Sequence, residues 1–396
     1  MISFDDTAIA FRSKNDRDLN RAYWLFKLIG SPLLVKIGKW FTVNALRFRL
    51  PIRGLIKSTI FQQFCGGENI QECTKTIESL ASFGVGTILD YSIEGKTTEA
   101  DFESTVEEII RTIVAAENNN SIPFAVFKVT GIARFDVLEK MNDERADIGT
   151  NANSAFHGVF DRVNRICKAA HEKNVRVFID AEESWIQDGI DRLTREMMRR
   201  YNRTEAIVYN TLQMYRHDRL HFLEMELSIA KQEGFYYGVK LVRGAYMEKE
   251  RARAVKFNYT SPIQADKQAT DHDFNAALQL LIDHRDQMAL CAGTHNEASS
   301  LLLTELMLKC EVKPGDTRFY FAQLLGMSDH ISYNLSNAGY NVAKYVPYGP
   351  VNEVMPYLLR RADENTSVAG QTGRELSLIM SERKRRKNAP KSHPLD

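Results

Sequence analysis

The chain has 396 residues, 44% of them hydrophobic, and a formal net charge of +1. That length suits one large domain with an appendage, and the near-neutral charge excludes a protein-wide field for nucleic acid. Its five cysteines (Cys65, Cys73, Cys167, Cys291 and Cys310) form no C-x-x-C pair. The odd count and the spacing argue against a disulfide framework or a zinc ribbon, and for a reducing compartment.

The first residues, MISFDDTAIAF, carry Asp5 and Asp6 and no basic flank before an apolar run. Neither a secretory signal nor a transit peptide is expected there. No stretch approaches the roughly 18 to 20 apolar residues of a membrane span. The reading is a cytoplasmic protein, or one peripheral on the inner face of a bacterial cell membrane.

From Arg21 to Gly67 the chain is basic and apolar. Arg21, Lys27, Lys36, Lys39, Arg47, Arg49, Arg53 and Lys57 occur with no Asp or Glu among them. Trp24, Leu25, Leu28, Ile29, Leu33, Leu34, Ile37, Trp40 and Phe41 recur near helical spacing. This predicts a helical arm over residues 1–80. Its apolar face either packs on the main domain or lies on an anionic lipid surface.

After residue 85 short β-branched or aromatic runs alternate with helical patterns. The runs are GTILDY at 86–91, PFAVFKVTG at 123–131, VRVFIDAEE at 175–183 and AIVYNTLQM at 206–214. YYGVKLVRGAY follows at 236–246, QMALCAGTHN at 287–296, RFYFAQLLG at 318–326 and NVAKYVPYG at 341–349. Most are nearly continuous apolar runs, as strands buried on both faces require. Helical stretches such as 156–173, 188–201 and 217–233 separate them. Eight β–α units predict a (β/α)8 barrel over 81–370. A doubly wound sheet is the alternative, but its Gly-rich first turn is absent. Residues 371–396 read as a C-terminal helix end and a basic tail, SERKRRKNAPKSHPLD, the tail being solvated or in contact with lipid.

Barrel enzymes place their chemistry at strand C-termini. There the sequence puts Lys128, then Asp180 with Glu182 and Glu183, then Gln213. Lys240, Arg243 and Tyr246 come next, followed by Thr294, His295 and Asn296, by Gln323 and Leu324, and by Tyr345 and Tyr348. Lys128 suits a Schiff base, a fixed cation for a carboxylate, or a plain ion pair. No H-x-H or H-x-x-x-H accompanies His295, so no metal site is expected. Gly244 permits close approach of backbone to a ligand, and Arg243 beside it suits a phosphate. In PYLLRRADEN, Tyr357, Arg360, Arg361 and Glu364 share one helical face. Two adjacent arginines reach one small anion only if the helix runs across the pocket.

FIDAEE, KLVRGAYMEKERARA, GTHN, FAQLLGMSD and KYVPYGPVNEVMPYLLRRADEN together resemble the proline dehydrogenase family, from about residue 120 to 367. The spelling is similar to the branch that holds the eukaryotic mitochondrial enzymes. The resemblance implies a distorted (β/α)8 barrel with FAD at the strand ends and the last helix over the flavin. It implies that Arg360, Arg361 and Lys128 pair with the proline carboxylate, while Tyr345, Tyr357 and Leu324 pack around the ring. Asp180 would hold Tyr345, and Glu364 would help close the pocket. Asp180, Leu324, Gln213, Lys240, Val242, Arg243, Gly244, Ala245, Thr270, Thr294, His295 and Asn296 would line or bind FAD. Bacterial members often carry arginine where Lys240 stands. The implied reaction moves hydride from C5 of proline to flavin N5, yields Δ1-pyrroline-5-carboxylate, and passes electrons to a membrane quinone. Hydroxyproline dehydrogenase is the nearest alternative; related enzymes of that kind tend to have a small residue where Tyr345 stands, and a tyrosine there should crowd the C4 hydroxyl, so proline is expected over 4-hydroxyproline. A Schiff-base aldolase using Lys128 and a non-catalytic amino-acid-binding barrel are the remaining ones.

Overall fold

The computed structural model describes residues 2–31, 33, 35–36, 38, 53–93, 97–143, 154–367 and 369–388. Positions 53, 55, 143, 154, 362–367 and 369–372 are described by their backbone alone. Eight parallel strands close into a barrel in sequence order. They are β1 (Val85–Tyr91), β2 (Phe124–Phe127), β3 (Arg176–Ile179), β4 (Val208–Gln213), β5 (Tyr237–Val242), β6 (Met288–Gly293), β7 (Phe319–Leu324) and β8 (Val342–Tyr348). Each lies on one of the eight runs expected from the sequence, β1 starting one residue earlier. The seam is complete, since β1 pairs with β8 in register from Val85–Val342 to Tyr91–Tyr348.

Helices precede, surround and follow these strands. Before the barrel come α1 (Thr7–Ala10), α2 (Asp16–Ile29) and α3 (Ile70–Ala81). Around it run α4 (Glu99–Ala116), α5 (Ser154–Glu172), α6 (Ser184–Tyr201), α7 (Arg219–Glu233), α8 (Met247–Phe257), α9 (Lys267–Asp283), α10 (Glu297–Lys309) and α11 (Asp329–Asn337). The described chain ends with α12 (Met355–Ser367) and α13 (Ala369–Asn388). Local chemistry sets several starts: the side chains of Thr98, Asp266 and Asn296 accept the N–H groups of Asp101, Ala269 and Ser299.

Alternation along the strands sorts the core into two parts. One set packs under the helices, and the other fills the barrel with Ile88, Phe124, Val126, Phe178, Tyr209, Cys291, Ala322 and Ala343. Phe124 stacks on Phe178 at 4.3 Å and meets Tyr320 edge-on at 4.9 Å. Gly238 is required by this packing, because a Cβ there would lie 2.5 Å from the Val208 carbonyl and 2.8 Å from the Tyr209 ring. The aromatic plug closes one end of the barrel. Towards the other end the same inward positions turn polar, reaching Asp90, Lys128, Asp180, Gln213, Lys240 and Tyr345.

The described part of the N-terminal arm packs on protein. Leu19, Ala22 and Phe26 of α2 pack with Leu378 and Ile379 of α13. Ile29, Ile56, Phe61 and Phe64 pack with Tyr357 and Leu358 of α12. The other side of α2 leaves Trp24 and Leu28 exposed. Residues 39–52 of the arm, with Lys39, Arg47 and Arg49, lie outside the described residues. The loose tail expected at the C-terminus is corrected for residues 381–388, which continue α13. Two members of the basic run are paired there. Arg385 and Arg386 pair with buried Glu382, and Arg386 reaches Asp16 of α2 at 2.9 Å. Residues 389–396 lie outside the described residues as well.

Candidate active site

Asp180, just past β3, is the centre of the polar mouth. Its carboxylate accepts from the Lys128 ammonium at 2.6 Å and from the Tyr345 hydroxyl at 2.7 Å. The Lys240 ammonium binds its other oxygen. Burial alone would raise the Asp180 pKa, but Lys128 and Lys240 outweigh it and hold the group below the usual carboxylate range. Burial works against the charge of Lys128 too, and Asp180 and Asp90 outweigh it, so the ammonium stays protonated. Lys240 also sits 5.0 Å from the Phe178 ring centre and 5.1 Å from that of Tyr345. Two cations therefore share the Asp180 carboxylate, with Asp90 also acting on Lys128, and the cluster presents ammonium groups that a small anion could meet. Three strands contribute to it through one shared inward direction, and β5 supplies Lys240 from within the strand rather than from its end.

The β5 and β6 ends form a second group. The Arg243 guanidinium donates to Asp271 at 2.7 Å, to the Thr294 hydroxyl at 2.6 Å and to the Ser299 hydroxyl at 3.0 Å. Its orientation is thereby fixed. Gly244 has φ +129°, and a Cβ there would lie 2.6 Å from the Tyr215 ring. Glycine is needed for both reasons. Gly244 and Ala245 lie along the rim, with Val242 half-buried beside them. Gln213 donates to the Glu182 carbonyl at 2.6 Å. The Nδ1 atom of His295 lies 2.9 Å from the Ser328 hydroxyl. Burial, with the charges of Lys344, Arg361, His330 and Arg243, pushes His295 down to about 3, so its ring is neutral at physiological pH.

Two residues expected here have other local duties. Asn296 caps α10, and its N–H donates to the Thr294 hydroxyl. The Thr270 hydroxyl donates back to the Asp266 carbonyl at 3.2 Å.

Helix α12 carries Tyr357, Arg360 and Arg361. Arg361 is buried, with its guanidinium carbon 5.0 Å from the Tyr357 ring centre. Its charge bears on His295 at the β6 end, while that of Arg360 bears on Tyr246 beyond β5. Tyr357, packed with Phe61, Phe64 and half-buried Leu324, anchors the helix. The side chain of Glu364 lies outside the described residues.

Sequence reasoning passed over several participants. Thr130 donates its N–H and its hydroxyl to Glu182, at 3.0 and 2.5 Å. Burial still lifts that carboxyl to about 7. Asp90 lies near the end of β1 inside GTILDY, where the strand-end rule applied to it as much as to Asp180. Asp271, Ser299 and Ser328 carry no comparable signal, because such residues are common on helices and turns. Among the described residues no group of three His, Cys, Asp or Glu side chains is arranged to hold a metal ion.

Known proteins share this barrel and its sequence. A family model described as proline dehydrogenase matches residues 73–374. The chain belongs to the proline dehydrogenase family. It is an oxidoreductase of that family, and mitochondrial proline dehydrogenase 1 of Dictyostelium discoideum is 32% identical over 426 residues, covering 96% of this chain and 74% of that protein. Hydroxyproline dehydrogenase of Xenopus laevis is 30% identical over 423 residues, 97% of this chain and 90% of that one. The crystal structure of proline utilization A (PutA) from Bdellovibrio bacteriovorus, inactivated by N-propargylglycine, matches with a TM-score of 0.71 at 18% identity. That match covers 90% of this chain and 38% of the longer protein, and it shows the shared barrel fold.

Proposed function

We propose that this proline dehydrogenase family member oxidises L-proline to Δ1-pyrroline-5-carboxylate with FAD as cofactor and a membrane quinone as electron acceptor. The observation that carries the reading is the Lys128–Asp180–Tyr345 assembly in the same barrel mouth as the Arg360–Arg361 pair of α12. The rim of β5 and β6 fits a flavin dinucleotide. Arg243, fixed by three acceptors, offers a cation to a pyrophosphate, and the positive φ of Gly244 lets backbone approach it. Gln213, Lys240, Val242, Arg243, Gly244, Ala245, Thr270, Thr294, His295 and Asn296 would hold it, with Asp180 and Leu324 alongside. When bound, the flavin supplies the hydride acceptor for C5 of proline.

The chain's own work is binding, orientation and exclusion of water. Arg360 and Arg361 clamp the carboxylate, and Lys128 shares its charge between Asp180 and the substrate. Leu324, Tyr345 and Tyr357 surround the ring, and Glu364 helps close the pocket. His295, being neutral, would meet the flavin as a hydrogen-bonding ring rather than as a cation.

The hydroxyproline dehydrogenase relative favours a second substrate for consideration. Tyr345 weighs against it. Its hydroxyl is pinned to Asp180 at 2.7 Å, so the ring cannot swing away from a hydroxyl on C4. The expected kcat/KM for proline therefore exceeds that for 4-hydroxyproline by about tenfold, as a steric clash of roughly 1–2 kcal/mol gives. Tyr345→Ser should narrow the ratio. Equal values in the unmodified enzyme would remove the predicted preference for proline, and a higher value for 4-hydroxyproline would transfer the assignment to it.

No helix among the described residues is long and apolar enough to cross a membrane. A quinone acceptor calls for contact with the bilayer surface. Trp24, Leu28 and Leu33 are exposed on the arm, and the Lys27 ammonium lies 5.1 Å from the Trp24 ring centre. We assign this face to peripheral contact with anionic lipid, on the inner side of a bacterial cell membrane.

A further inference from the structure

The family match spans residues 73–374 and so omits the N-terminal segment and α13 from Glu375 onward. These flanks nevertheless hold Ser328 and Asp329 beside the β6 and β7 ends, and residues inside the match hold the neighbouring His330. Ser328 is fully buried with φ +50°, a left-handed conformation that needs outside support in a non-glycine residue. Its backbone N–H donates to the carboxylate of Glu375, which is 3% exposed. Asp329 is held at 3.0 Å by Lys14 and at 2.9 Å by Lys344. His330 bonds Glu297 at 3.1 Å, and Arg374 grips the same Glu297 at 2.8 Å. A buried carboxylate is costly unless it serves its hydrogen bonds. Glu375 serves the Ser328 N–H, and the Ser328 hydroxyl in turn lies 2.9 Å from Nδ1 of His295.

We propose that Glu375 is a positioning residue for the flavin site, because by holding the Ser328 turn it fixes the hydroxyl that sets the His295 ring. This rests on the reading of His295 as a flavin contact. The bonded Nδ1 orients the imidazole, so the face His295 offers to the cofactor depends on a residue outside the matched family region.

The test is FAD binding to apoenzyme, measured by flavin fluorescence. Glu375→Ala should weaken binding about tenfold, the effect of one well-placed hydrogen bond, with the proline KM at saturating FAD within about twofold of normal. Glu375→Gln keeps an oxygen for the Ser328 N–H and should restore most of the affinity. In a His295→Ala background the Glu375→Ala change should add nothing, since its effect passes through the ring. Unchanged FAD affinity in Glu375→Ala, or additive losses in the double variant, would overturn the proposal. If Glu375→Ala does not fold, Glu375→Asp, which draws the carboxylate one methylene back from the Ser328 N–H, gives the same comparison, and unchanged FAD affinity there would overturn the proposal. Wild-type apoenzyme that binds no FAD would remove the parent reading, and this proposal with it.

Discussion

Asp180 binds two ammonium groups and a phenol at once, and single side chains near it should have separable effects. Arg361 is buried beside Tyr357, so a carboxylate reaching it forms a charge-assisted bond shielded from water. Arg361→Met should raise the proline KM roughly 10- to 100-fold with a smaller change in kcat. A near-normal KM would show that this arginine does not hold the substrate. Glu182 supplies a pH signature. Its folded pKa, about 7, lies above the ordinary 4.5 because burial penalises the charged form. The folded state thus binds that proton more tightly than the unfolded chain does. The resulting stability is full below about 4.5 and is lost as pH rises through about 7. The unfolding free energy of the wild type relative to Glu182→Gln should therefore fall across that window in urea titrations. A flat difference would place Glu182 among ordinary carboxylates. At this scale Lys128, Asp180, Tyr345 and the arginines were legible, because strand ends and an Arg-Arg pair on a helix are visible in one dimension. Thr130 and Ser328 were not, since their importance arises only from the carboxylate or imidazole that folding brings to them.

The eight strands were readable because both faces of a barrel strand are buried, which writes β2, β4 and β6 as nearly unbroken buried runs. The pairing of α2 with α13 was not, because the Arg386–Asp16 contact joins residues 370 positions apart. The same packing divides α2 into two faces. Leu19, Ala22 and Phe26 are committed to α13, and Trp24 and Leu28 remain outward with Lys27. The packed side answers one reading of the arm, and the outward side is where the lipid reading applies. The double variant Trp24→Ser and Leu28→Ser should lose most binding to anionic vesicles in sedimentation. Each buried apolar side chain contributes on the order of 1.5–3 kcal/mol, and the protein interior is untouched. Vesicle binding equal to wild type would assign that side to another partner or to solvent.

The whole molecule is a barrel plugged by aromatics at one end and covered at the other by a helix that rests on the N-terminal arm. Phe61 and Phe64 support α12, while Glu375 and Lys14 support the turn behind His295. The flanks therefore belong to the architecture of the mouth as much as the strands do. That arrangement gathers the cations of the mouth and the rim of β5 and β6 at one end of the barrel, as the proposed proline and FAD sites require. The most direct test is to mix the purified protein with proline without oxygen and record its visible absorption. The account predicts a yellow protein whose flavin bands bleach on addition of proline. A colourless protein from flavin-replete cells, or a yellow one that proline leaves unbleached, would contradict it.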